Sequence, residues 1–372
     1  MTTHIVVLGA GYSGQLAARL AARAKDTTVT LVNNRDTFVE RVRLHQLAAG
    51  QDLRERPLAH LVKGTGIRLV VDRVTAIDPV AKSVVLAGGS TLEYDTLVYA
   101  LGSRMDLDSV PGAAEHANTV AVAEEAARLR TRLRDSAAGG TVTVVGGGLT
   151  GIEAATELAE QHQDLKVRMV TGGVLGAALS DKGRRHLRRT FDRLGIEVRD
   201  EVRVWEVRAD GVVLADGEHV PSDIVVWTTG FTVPTLAAEA GFAVDAHGRL
   251  VVDDTIRSTS HPDVYGVGDA AAMRMAGGQE LRMACATGLP VAQQAVRAIV
   301  ARRAGEQPKP FRFRYLNQCI SLGRHDGLIQ FVDRHDCPRD AVLTGRVAAL
   351  YKEFIVRGAF QVQRHPSIPA SF

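Results

Sequence analysis

The chain has 372 residues, 45% of them hydrophobic, with 45 basic and 42 acidic side chains for a formal charge of +3. Such a length allows two or three domains with sizeable cores, and a charge so near balance makes no case for a nucleic-acid partner. Three separated cysteines, Cys285, Cys319 and Cys337, form no C-x-x-C pair, which argues against a disulfide framework or a metal site and fits a reducing, cytoplasmic setting.

Only Met1 to His4 precede the first apolar run, and no stretch is long enough to span a bilayer, so the chain is expected to be neither secreted nor integral to a membrane. The run Ile5 to Leu8 reads as a strand that turns through Gly9-Ala10-Gly11-Tyr12-Ser13-Gly14 into a helix faced by Ala17, Ala18, Ala21 and Ala22. Thr28 to Val32 is the second strand, Val39 to Ala49 a helix, and Leu69 to Ile77, Ser83 to Ala87 and Leu92 to Ala100 an antiparallel meander closing at Ala100-Leu101-Gly102. The plan then repeats. Thr141 to Val145 is a strand, Gly146-Gly147-Gly148-Leu149-Thr150-Gly151 a second glycine loop, Thr150 to Glu160 a helix and Lys166 to Val170 a strand. Val202 to Leu214 reads as a hairpin, and Ile224 to Trp227 closes at Thr228-Thr229-Gly230. The repeat offset is about 137 residues at the glycines and about 128 at the closing turns, as a duplicated βαβ unit with unequal loops predicts. Beyond it stand Val264-Tyr265-Gly266-Val267-Gly268-Asp269, a helix from about Leu289 to Arg303, a Pro-rich linker at Gln307 to Pro310 and a smaller last unit.

Each G-x-G-x-x-G glycine has a separate task. The first (Gly9, Gly146) permits the tight turn, the second (Gly11, Gly148) lets backbone approach a pyrophosphate, and the third (Gly14, Gly151) lets helix pack on strand. Helix N–H groups then face the phosphates. Two such cradles imply two dinucleotides, and the economical reason to hold two is to pass a hydride between them.

The order of the first fingerprint, Leu101-Gly102, G-G-G-L-T-G-I-E at Gly146 to Glu153, Thr229-Gly230 and V-Y-G-V-G-D at Val264 to Asp269 resembles the two-dinucleotide flavoprotein family over about the first three hundred residues. That family includes pyridine nucleotide-disulfide reductases and ferredoxin reductases, and the chain is most similar to its type II NADH dehydrogenase-like and apoptosis-inducing-factor-like members. The resemblance implies an α/β fold of two Rossmann-like domains, with the FAD domain (1–108 and 229–305) split around the NAD(P) domain (109–228), and a small C-terminal α+β domain (306–372). It assigns FAD to Gly9, Gly11, Tyr12, Ser13 and Gly14 with Gly268 and Asp269 on the ribitol, and NADH or NADPH to Gly146, Gly148, Leu149, Thr150 and Gly151. Leu101, Gly102, Thr229, Gly230 and Ala286 join the cofactor sites by the same resemblance. It places Glu153 near the junction of flavin and nicotinamide as the catalytic candidate; by itself that Glu reads as a helix-dipole partner.

Asn33 stands where the FAD half usually carries an acid, and its amide can still bind the adenosine ribose. Thr171 stands at the equivalent place in the second half. With Arg168, Lys182, Arg184 and Arg185 nearby, the missing acid favours NADPH over NADH, while Arg184, Arg185, Arg188 and Arg189 also read as a solvated helix face. No cysteine lies in Phe38 to Gln46, which speaks against dithiol chemistry, and Cys285 reads as a small residue that lets the flavin ring approach. Arg41, Arg43, His45 and Gln46 either border the acceptor side of the flavin or contact FAD pyrophosphate or solvent. The expected activity is hydride transfer from NAD(P)H to FAD and on to a quinone or other small electrophile. A ferredoxin-like partner, a specialised biosynthetic reaction and a non-enzymatic redox switch remain as alternatives. The last helix, about Thr344 to Val356, has a stripe of Val347, Leu350, Tyr351, Phe354 and Ile355 that reads as core or homodimer interface rather than membrane anchor.

Overall fold

The computed structural model describes residues 2–275 and 278–368, and its centre is a pair of five-stranded parallel sheets. In the first the order is Val264–Gly266, Thr96–Tyr99, Thr3–Leu8, Thr27–Asn33 and Ile67–Val71. The second runs Ala117–Thr119, Ile224–Trp227, Thr141–Val145, Lys166–Val170 and Glu197–Arg199. Covered on both faces, their central strands are continuous apolar runs: Ile5 to Leu8 and Val142, Val144 and Val145 are buried. The Val264–Gly266 strand returns the chain to the first sheet after the whole second sheet has been built.

Register explains why the closing turns repeat. Tyr99 pairs with Leu8 and Trp227 with Val145, so each closing turn lies against the first glycine of its loop. A Cβ on Gly9, at φ +101°, would come within 2.4 Å of the Ala100 carbonyl oxygen, and one on Gly146, at φ +118°, within 2.8 Å of Thr228 Oγ1.

Several elements differ from expectation for local reasons. The Leu69 to Ile77 segment is two strands, Ile67–Val71 in the parallel sheet and Val74–Asp78 in a separate antiparallel one. Asp72 turns the chain between them, its carboxylate accepting from the N–H groups of Arg73 and Gly88. The expected helix at 39–49 is a 3₁₀ turn, Arg41–Arg43, followed by the short helix Leu44–Ala48. The Val202 to Leu214 hairpin gains a third strand, His219–Pro221. The long helix starts at Cys285 rather than Leu289, because Thr287 Oγ1 donates back to the Arg282 and Ala284 carbonyls and Pro290 stays close to the helix start.

The last unit is a three-stranded antiparallel sheet, Asn317–Ser321, Gly327–Val332 and Pro338–Thr344, followed by the helix Gly345–Arg364. That helix is two turns longer than expected, and it buries Ala348, Val356, Ala359 and Phe360. The expected core stripe is therefore not core: Val347, Leu350 and Phe354 are 61%, 71% and 65% exposed. Among the described residues no helix is long and apolar enough to cross a membrane.

Candidate functional site

At the N-terminus of the helix Tyr12–Ala21, Gly11 is exposed and a Cβ built on it meets nothing within 4 Å. Gly148 holds the same position before the helix Leu149–Gln161, again with open space in front of it. A pyrophosphate needs such a gap beside free helix N–H groups, so both loops fit a dinucleotide. Behind each gap the third glycine closes the packing: a Cβ on Gly14 or Gly151 would stand 1.9 Å from the carbonyl oxygen of Gly9 or Gly146.

The first loop is completed by distant residues. Ser13 Oγ lies where Gly268 and Gly288 approach, since Cβ atoms there would fall 3.2 and 2.5 Å from it. Asp269 Oδ2 accepts from Ser103 Oγ at 2.7 Å and from Arg41 at 3.3 Å, and Arg41 also donates to the Ser103 carbonyl. Leu101 and Gly102 lead into Ser103, while Ala286 is exposed in the first turn of the Cys285–Arg303 helix. Asn33 Oδ1 accepts from the Ala10 N–H at 2.9 Å and its Nδ2 donates to the Arg35 carbonyl, so its amide braces the loop. Tyr12 contributes only backbone to the cradle, because its ring is buried edge-on against Phe38 at 5.0 Å.

Around the second loop, Leu149 and Thr150 open the helix, and Thr229 and Gly230 are exposed at the end of the neighbouring strand. Most of the expected basic residues are already paired: Arg168 with Glu197, Lys182 with Asp340, Arg184 with Asp181 and Arg188 with Asp200. Arg203, which the sequence does not single out, lies against Gly172, next to Thr171, and has no ion-pair partner among the described residues.

Where the Leu149–Gln161 helix meets the Leu44–Ala48 helix, the Asn317–Ser321 strand and the last helix lies a largely buried ionic node. Glu153 Oε1 is 2.9 Å from Lys352 Nζ and accepts from the Ser321 N–H at 3.0 Å, and Glu153 Oε2 is 4.0 Å from His45 Nδ1. Burial alone would raise the Glu153 pKa, but the Lys352 ammonium and the Ser321 N–H hold it below the ordinary carboxylate range. Lys352 is displaced upward in return, Glu153 outweighing burial. Burial pushes His45 down to about 4, so the imidazole is neutral, and its Nε2 has no hydrogen-bond partner. Next to this node opens a cavity of about 390 Å³ lined by Lys352, Gln46, Val42, Leu350 and Glu353.

The structure takes the four polar residues 41, 43, 45 and 46 to four different places. Gln46 reaches the cavity and His45 the node. The Arg43 guanidinium is held by Glu40, Gln46 and Glu353, and Arg41 is the residue at Asp269. Two cysteines lie near the node, Cys285 and Cys319. Cys319 accepts at its carbonyl from Lys352 Nζ at 3.0 Å. Burial raises the Cys285 thiol to about 12 and Cys319 to about 11, which leaves both protonated and poor nucleophiles. The sequence reading missed Lys352, Ser103 and Arg203. Only Ser103 carried a local signal, directly following Leu101-Gly102.

Two nucleotide cradles in one chain are what a flavin- and nicotinamide-dependent oxidoreductase requires. Residues 3–298 match the family of pyridine nucleotide-disulphide oxidoreductases, and the chain belongs to it. A NADH dehydrogenase-like protein of Mycobacterium tuberculosis is 33% identical over 315 residues, covering 79% of each chain. The alternative NAD(P)H-ubiquinone oxidoreductase C1 of Arabidopsis thaliana is 27% identical over 88% of this chain and 72% of its own. The sulfide:quinone oxidoreductase of Aquifex aeolicus shares the fold at a TM-score of 0.83 and 22% identity, over 98% of this chain and 92% of its own. The chain is an NAD(P)H-dependent flavoprotein oxidoreductase, related to both quinone and ferredoxin reductases.

Proposed function

We propose that this enzyme reduces a quinone or similar small electrophile in the cavity beside Lys352, without a redox-active disulfide. The observation that carries the reading is the buried Glu153–Lys352 pair at the cavity wall, 2.9 Å across. FAD, when bound, would supply the hydride and electron-transfer chemistry that links NAD(P)H to the second acceptor. The chain's part is positioning and proton supply. Gly9, Gly11 and Gly14 with Ser103 and Asp269 hold FAD, and Gly146, Gly148 and Gly151 hold the nicotinamide nucleotide. Lys352, kept cationic by Glu153, presents an ammonium proton to an acceptor oxygen, and Glu153 compensates the charge behind it. The relative from Arabidopsis, named for ubiquinone, supports the same acceptor class.

Within this reading the domains divide at 108, 228 and 305, the enzyme works in the cytoplasm, and a homodimer forms through the C-terminal unit, supported by the exposed Val347, Leu350 and Phe354. NADPH is the preferred donor, on the strength of Arg203 beside Thr171 where an acid would repel a 2′-phosphate.

Anaerobic mixing tests the reading. Visible flavin absorbance should bleach with NADPH faster than with NADH and return on adding menadione. A protein that is colourless with added FAD, or whose flavin bleaches and does not respond to any quinone, overturns it.

A further inference from the structure

The cavity lining divides by chemistry. Val42, Ala349, Leu350 and Val356 are apolar, whereas Arg324, His325 and Arg346 are basic. Its other charges are balanced within the protein: Lys352 by Glu153 at 2.9 Å, and Glu353 by Arg43 and Arg357, each at 2.7 Å. Arg324 feels Glu157 and Glu160 nearby, but neither it nor Arg346 is held in an ion pair. Neither guanidinium has a carboxylate within ion-pair distance among the described residues, and the one acidic group bonded to Arg324, Glu160, is held by its backbone N–H at 2.5 Å. Arg168, Arg184, Arg188, Arg193 and Arg199, by contrast, are each held by a carboxylate, as Arg203 is not.

We infer that the natural acceptor is an aromatic electrophile bearing a carboxylate or another anionic group, bound by Arg324 and Arg346 while its ring lies against Leu350 and Val356. The inference rests on the acceptor cavity proposed above and adds the class of molecule that fills it. A planar guanidinium matches a carboxylate or sulfonate in two parallel hydrogen bonds, and Arg324 is half-buried, where such a pair is less screened than at an open surface. A volume of about 390 Å³ accommodates a two-ring aromatic. A neutral quinone satisfies the apolar lining and leaves both guanidiniums to solvent.

The test compares naphthoquinone sulfonate with menadione on the FAD-loaded enzyme, by equilibrium titration without nucleotide and by steady-state KM. The double substitution Arg324→Gln/Arg346→Gln should raise the ratio of the sulfonate Kd to the menadione Kd by at least about tenfold. High salt should raise the same ratio in the unsubstituted enzyme, and Arg324→Lys/Arg346→Lys should recover part of the loss. An unchanged ratio with normal menadione turnover overturns the inference and leaves the acceptor cavity standing. A double variant that keeps the ratio but releases from phosphatidylglycerol vesicles also overturns it, because the arginines then serve lipid phosphate. If neither quinone binds nor turns over, the proposed function fails and the inference fails with it.

Discussion

The helices that leave the two glycine loops begin alike and bury different chemistry. Counted from the last glycine of each loop, Leu16 occupies the place of Glu153 and Leu20 that of Glu157. In the first helix this face is apolar, and Ala17, Ala18 and Ala21 belong to the main hydrophobic core with the long Cys285–Arg303 helix. In the second it meets Lys352, His45, Gln51 and Ser321. One supersecondary unit therefore packs an apolar face in one half and a buried ionic face in the other. The difference is two carboxylates placed where the duplicate has leucines.

The sharpest way to break the comparison is at the loops, where the two helices agree. Gly11 and Gly148 both have φ near −70° with open space in front, so Gly11→Val and Gly148→Val should fold normally. Gly11→Val should lose FAD, with an affinity fall of at least about a thousandfold, seen as colourless purified protein. Gly148→Val should keep its yellow colour and lose nucleotide binding instead. Loss of the same ligand from both would end the assignment of unequal roles.

Where the helices differ, the node should behave as a pair. Lys352→Met leaves Glu153 buried without its cation and should cost about 3 to 5 kcal/mol in urea denaturation. Adding Glu153→Leu makes the second helix like the first and should recover most of that stability while turnover stays abolished. If the double variant is no more stable than the single, the ion pair is not the origin of the loss.

The pH dependence of stability sharpens the point further. His45 binds its proton near 6.5 when unfolded and near 4 when folded, so it makes stability rise with pH through that window. Glu157 works in reverse. Burial, against the pull of Arg324, lifts it to about 7 from an ordinary 4.5, and stability falls as pH rises between those values. Each slope is about 1.4 kcal/mol per pH unit, so they offset between 4.5 and 6.5 and urea midpoints of the native enzyme should be flat there. Glu157→Gln should uncover the rising slope. A variant as flat as the parent would remove one of the two groups from the argument.

The smallest effect concerns the donor. Arg203→Ala should raise the KM for NADPH about tenfold and leave that for NADH within about twofold. Equal changes would make Arg203 structural.

Much of this was legible in the chain because the glycine loops carry their own reasons. A tight turn, a phosphate gap and a close helix-strand contact each demand glycine at a fixed spacing, and Gly9, Gly11, Gly14, Gly146, Gly148 and Gly151 meet those demands locally. The parallel strands were legible too, since burial on both faces leaves continuous apolar runs. In the last helix periodicity finds a stripe but not its partner: Val347, Leu350 and Phe354 are regular yet exposed, so of core and interface the core reading fails, and the adjacent stripe of Ala348, Val356 and Ala359 packs inside.

The sequence by itself determined two nucleotide cradles, their order, and the absence of a dithiol between them. Tertiary structure alone decided what Glu153 is. Lys352 comes from a helix almost two hundred residues later and His45 from one more than a hundred residues earlier, and no local pattern marks either as its neighbour. Burial disfavours the charged form of both Lys352 and His45, and the 2.9 Å contact with Glu153 keeps the lysine charged while the histidine, 4.0 Å from the same carboxylate, stays neutral.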